Sequence, residues 1–129
     1  MKKLLLISTL LFSTLMFSTP SYGEWTEVSE NVQGTVYYVD FERIRKHGGY
    51  VYYWEMNNLL KPDVDGHLSN KFYTQTDCKL FRYKTLSYSY HKEPMGGGTG
   101  RTYNPQKPIW RYPPPKSSIE VILQRVCSH

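Results

Sequence analysis

Cysteine is scarce in this sequence: Cys78 and Cys127 are the only two in 129 residues. Two thiols cannot build a disulfide-dense scaffold, and without Cys-x-x-Cys spacing they suit neither a zinc site nor a dithiol redox pair. Charge of one sign is also in short supply. Sixteen basic against 11 acidic side chains give +5, and Arg43-Ile44-Arg45-Lys46 is the one tight basic group. Counterion release needs clustered positive charge, so nucleic acid is not an expected partner. A long apolar run is missing too: Leu4 to Phe17 covers 14 residues, short of the ~20 that cross a bilayer.

Catalytic and metal-binding patterns are absent as well. His47, His67, His91 and His129 show no ligand spacing. Asp63-Val64-Asp65-Gly66 opens like a calcium loop, but Thr74 stands where the closing glutamate belongs, so a β-turn is expected there. The glycines from Gly96 to Gly100 precede neither a Lys-Ser nor a Lys-Thr pair, nor a helix, which argues against a phosphate loop. No nucleophile–base pair stands out. The expectation is a protein without catalytic residues, metal or cofactor.

What is present begins with a leader. Lys2-Lys3, the Leu4–Phe17 run and the small-ended Ser21-Tyr22-Gly23 read as a secretory signal peptide, residues 1–23, cleaved before Glu24. Its removal lowers the net charge to +3 and leaves 24–129 as one working domain. No cysteine lies at the cleavage point, so anchoring through a lipidated N-terminal cysteine is not expected, and no membrane span remains. Export puts the two cysteines in an oxidising compartment, where an even count implies one disulfide, Cys78–Cys127. Closing a loop of about 50 residues stabilises a fold by roughly 4 kcal/mol in the chain-entropy picture.

Aromatics are plentiful: 12 Tyr, three Trp and five Phe. With β-branched residues they mark strands at Trp25–Glu30, Thr35–Val39, Tyr50–Leu60, Asn70–Cys78 and Phe81–His91, and a short sixth at Arg101–Tyr103. In the longest strand Tyr52, Trp54 and Met56 are expected to face the core. In the fifth, alternation sets Leu86, Tyr88 and Tyr90 against Tyr83, Thr85, Ser87 and Ser89. Asp40 to Lys46 reads as a turn leading into a loop at His47-Gly48-Gly49, and Glu93 to Gly100 as a mobile connection. Pro105, Pro108 and Pro113-Pro114-Pro115 limit pairing, with Trp110 and Tyr112 pinning that segment to the surface. One helix is clear. Ser117 caps it with Glu120 three residues on, and Ile119, Ile122, Leu123 and Val126 form an apolar stripe. The fold class is α+β: an antiparallel meander of about six strands, with the C-terminal helix clamped across one face by the disulfide.

The order Glu24-Trp25-Thr26, Thr35-x-Tyr37-Tyr38-Val39-Asp40, Val51-x-x-Trp54-Glu55, Lys61-Pro62, Asp77-Cys78, Arg82-Tyr83, Pro94-Met95-Gly96-x-Gly98, Trp110-Arg111-x-Pro113-Pro114 and Val126-Cys127 resembles the bacterial surface-adhesin protein E family. The resemblance spans Glu24 to Cys127 and implies a sheet flanked by a disulfide-tethered C-terminal helix. It further implies an adhesin-like binding protein whose partners are host extracellular-matrix and plasma proteins such as laminin and vitronectin. The alternative is a periplasmic, homodimeric accessory protein of the envelope without a host ligand. The expected location is the periplasm, the outer cell surface or the medium. One helix cannot bury all the tyrosines, and exposed Tyr beside Arg suits an interface. Tyr83, Tyr88, Tyr90, Arg101, Tyr103, Trp110 and Arg111 are therefore the candidate protein-binding surface.

Overall fold

The computed structural model describes residues 24–129, so the signal peptide expected at 1–23 lies outside the described residues. Seven strands form a single antiparallel sheet: β1 (Thr26–Glu30), β2 (Val36–Val39), β3 (Arg45–His47), β4 (Tyr50–Asn58), β5 (Ser69–Asp77), β6 (Arg82–His91) and β7 (Arg101–Tyr103). The order is β1-β2-β4-β5-β6-β7, with β3 also paired to β4. One helix, α1 (Ser118–Cys127), closes the chain.

β3 was expected as a turn. Arg45, Lys46 and His47 are polar and exposed, with little strand propensity, yet they pair with Tyr52, Val51 and Tyr50. Gly48 and Gly49 make this possible, because both adopt positive φ (59° and 83°), the geometry a two-residue hairpin needs to match strand twist. Phe41–Arg43 forms the expected turn, held by Asp40, whose carboxylate accepts from the Glu42 backbone N–H at 3.2 Å.

The core lies under the helix and inverts the face expected for β4. Val39, Val51, Tyr53, Ile122 and Val126 pack together, so the helix covers Val51, Tyr53 and Glu55, while Tyr52 and Trp54 stay half-buried on the opposite face. Aromatics on both faces of β4 remove the apolar–polar contrast that fixes strand phase. Met56 is buried as expected, but beneath the Pro94–Gly96 turn on the open face rather than beneath the helix. That turn is tied down rather than mobile: the Gly96 N–H donates to Ser69 Oγ and the Met95 N–H to Asn58 Oδ1, each at 2.8 Å.

Cys78, just past β5, is bonded to Cys127 in the last turn of α1, with Cα atoms 5.7 Å apart. The helix is thus fixed at its C-terminal end by the disulfide and capped at the other by Ser117, whose Oγ accepts from the Glu120 N–H. Glu120 completes the cap one residue earlier than expected, accepting from the Lys116 N–H at 3.2 Å. Ser118 Oγ and Ser29 Oγ, 3.0 Å apart, hold the start of α1 over β1.

Candidate binding site

The helix covers only the β1–β2–β4 end of its face. Further along, the register of β5 and β6 contains a bulge: Tyr73 pairs with Ser87 and Thr74 with Thr85, leaving Leu86 unmatched. An unmatched residue reverses the side-chain alternation beyond it. Tyr83 and Thr85 therefore share the helix face with Tyr88 and Tyr90, which simple alternation had set on opposite faces. Opposed pairs Tyr88–Tyr103 and Tyr90–Arg101 carry that face on to β7.

This uncovered half-face is aromatic. Tyr88 stacks on Tyr103 at 5.3 Å and meets Tyr90 edge-on at 5.6 Å, while Phe72 lies 6.4 Å from Tyr88. His67 adds a ring 5.3 Å from Tyr90, and the Arg101 guanidinium lies 5.8 Å from the Tyr103 ring. Pairs at such separations add up to roughly 1 kcal/mol each beyond the area they bury. Tyr90 has its hydroxyl pKa raised, chiefly by burial and then by Tyr88.

The proline-rich segment runs alongside as a strap. Arg111 exchanges two backbone hydrogen bonds with Tyr83, at 2.8 and 2.9 Å, which forms a one-residue extension of the sheet where prolines forbid a longer ladder. Between strap and sheet lies a groove of about 350 Å³, with Phe72, Tyr88 and Tyr90 as its floor, Pro105, Pro108 and Ile109 as its wall, and Lys107 and Arg111 on its lining. Ile109 is 59% exposed, an apolar side chain beside an open aromatic floor.

Six of the seven expected surface residues therefore come to one face: Tyr83, Tyr88, Tyr90, Arg101, Tyr103 and Arg111. Trp110 does not join them. It follows the opposite parity to Arg111 and sits on the other face, 5.6 Å from Tyr50 and within 4.5 Å of both the Arg82 and Lys84 cationic groups. It does pin the strap, as expected; Tyr112 does not, being 65% exposed. The open face also carries the cross-strand pair Trp54–Tyr73 at 4.9 Å.

Besides Thr85 and the strap residues Pro105, Lys107, Pro108 and Ile109, Phe72 and Glu55 were not among the expected surface residues. Phe72 was placed on the correct strand face but not in the site. Glu55 was placed on the face opposite the core, whereas it is 6% exposed beneath the helix edge, in the row between Val39 and Phe72. Burial pushes its carboxyl from 4.5 up to about 7, with the Asn57 amide opposing the rise. An acid set within a long aromatic strand was the signal available. Glu55 lines a second cavity of about 240 Å³ that shares Phe72 and Thr85 with the groove.

Residues 25–128 match the family model described as Surface-adhesin protein E. The chain belongs to the surface-adhesin protein E family. Membership makes it an adhesin-family protein, a binding protein rather than an enzyme, and agrees with the motif order described above. Solved structures share the protein E fold. Crystal form II of Haemophilus influenzae protein E aligns with a TM-score of 0.64 at 19% identity, covering 85% of this chain and 91% of that one. Protein E from non-typeable Haemophilus influenzae aligns at 0.57 and 18%, covering 86% and 79%. No curated protein matches the sequence. Among the described residues, no helix is long and apolar enough to cross a membrane.

Proposed function

We propose that this protein E family member is exported and binds host extracellular-matrix or plasma proteins, laminin and vitronectin first among them, through its uncovered sheet face. The observation that carries the reading is the strap-walled groove: an aromatic floor of Phe72, Tyr88 and Tyr90 lined also by Lys107 and Arg111. Tyrosines bury large area at small cost in side-chain entropy, and basic groups at the margin steer an acidic partner. Arg101 and Tyr103 extend the same surface along β7. The reading includes a signal peptide at 1–23 and display at the cell surface or release, without attachment through an N-terminal cysteine.

Pull-down of the exported protein on immobilised laminin and vitronectin tests it, beside an unrelated protein of equal basic charge. Retention above that control is the expected result; retention equal to it removes the host-binding reading. Fractionation supplies the second arm. A protein found only in the periplasm, sedimenting as a dimer, would assign the aromatic face to a second copy of the chain instead.

A further inference from the structure

The second cavity differs in chemistry from the groove beside it. Its walls are aromatic: Tyr37 from β2, Phe72 from β5 and Tyr83 from β6, with Ile119 of α1 above. Glu55, nine-tenths buried, lines it. No lysine, arginine or histidine lines it, and among the described residues Glu55 enters no ion pair. Asn57, one pleat along β4, presents a buried Oδ1 with no hydrogen-bond donor opposite it.

An acid without a cationic partner is a costly thing to bury. Aromatic faces carry negative charge density, so rings around a carboxylate raise that cost unless a cation enters. The Asn57 amide and the Thr74 and Thr85 hydroxyls give the cavity neutral polar groups, but the protein brings no positive charge to its carboxylate and rings. We infer that this cavity binds a small organic ammonium ion, its charged head between the Tyr37, Phe72 and Tyr83 rings and against the Glu55 carboxylate. A metal ion would need several oxygen ligands at short range, whereas a single carboxylate among rings fits a large, weakly hydrated head. The inference concerns a cavity and a ligand separate from the host-protein surface, so either can fail alone.

The charged and titratable groups around Glu55 are few. Glu55 acts electrostatically on Tyr53 of its own strand and on Tyr83 of β6, Tyr37 lines the same cavity from β2, and Arg111 of the strap acts on Tyr83. Burial raises the Tyr53 and Tyr83 hydroxyls above their ordinary range, so the charge of the site follows Glu55, which is half-protonated near pH 7. Ammonium binding therefore strengthens as pH rises through that value.

The test is calorimetric titration of the full, disulfide-bonded exported chain with choline chloride and with tetramethylammonium chloride, at constant ionic strength. The comparison ligand is the carbon isostere of choline, in which a tert-butyl group replaces the trimethylammonium head. Saturable binding of both ammonium ions and none of the isostere is expected, roughly a hundredfold weaker about two pH units below the Glu55 midpoint. Glu55→Gln keeps the shape and should abolish the response while retaining the cooperative melt, and Tyr83→Leu should weaken it severalfold. Equal binding of the isostere, undiminished binding by Glu55→Gln, or no saturable heat with either ammonium ion overturns the inference. Should Glu55→Gln fail to fold, the charged–uncharged ligand pair and Tyr83→Leu decide the matter in the native chain.

Discussion

Glu55 concentrates the physics of this fold into one side chain. Its folded pKa of about 7 exceeds the ordinary 4.5, so between those values the folded state holds a proton that the unfolded state has released. Stability from this group is complete below about pH 4.5 and is lost as pH rises through about 7. A rise of that size corresponds to on the order of 3 kcal/mol. Urea unfolding of the native chain at about pH 5 and about pH 8 should show that loss, and Glu55→Gln should remove most of it. A variant that tracks the native protein at both pH values would mean that Glu55 is not desolvated. His91 works in the opposite sense, its pKa lowered by burial and then by Lys71; it contributes to both proteins equally, and the difference between them isolates Glu55.

At the scale of elements, α1 is the piece most exposed to simple tests. Ser117→Ala removes the acceptor for the Glu120 N–H and should cost about 1 kcal/mol, read as a lower urea midpoint with unchanged slope. Mass analysis without reduction should find Cys78 joined to Cys127, and the double Cys→Ser variant should lose up to about 4 kcal/mol for the 49-residue separation. Free thiols in the exported protein would contradict the clamp.

Elements also show where the sequence was legible. Strands dense in Tyr, Val and Thr, and a helix announced by Ser117 and Glu120, lie where expected, because local propensity and capping agree with the tertiary structure. β3 was not legible, since Arg45-Lys46-His47 gains its strand only from pairing with β4. The buried face of β4 depends on where the helix lands, and Tyr52, Tyr53 and Trp54 do not reveal that. The phase of β6 turns on the unmatched Leu86, one residue with no sequence mark. That bulge is also why Tyr83 and Tyr88 share a face, so the candidate site was legible in its members and illegible in its geometry.

For the whole molecule, the division of one sheet face matters most. α1 covers the half that holds the core, and the strap from Pro105 to Arg111 borders the half that stays open. The fold is shared with Haemophilus influenzae protein E, and the proposed function gives partner choice to the side chains on that half. The most direct test of this account is surface plasmon resonance of the exported protein over laminin and vitronectin, comparing the native chain with a Tyr103→Ser/Ile109→Ser variant. Both residues are exposed, at 39% and 59%, so folding should be preserved; Val64→Ser, at a fully exposed position far along the chain, is the control. Loss of binding by roughly tenfold or more in the double variant, with the control unchanged, is the predicted result. Full binding by the double variant would contradict the assignment of this face as the binding surface.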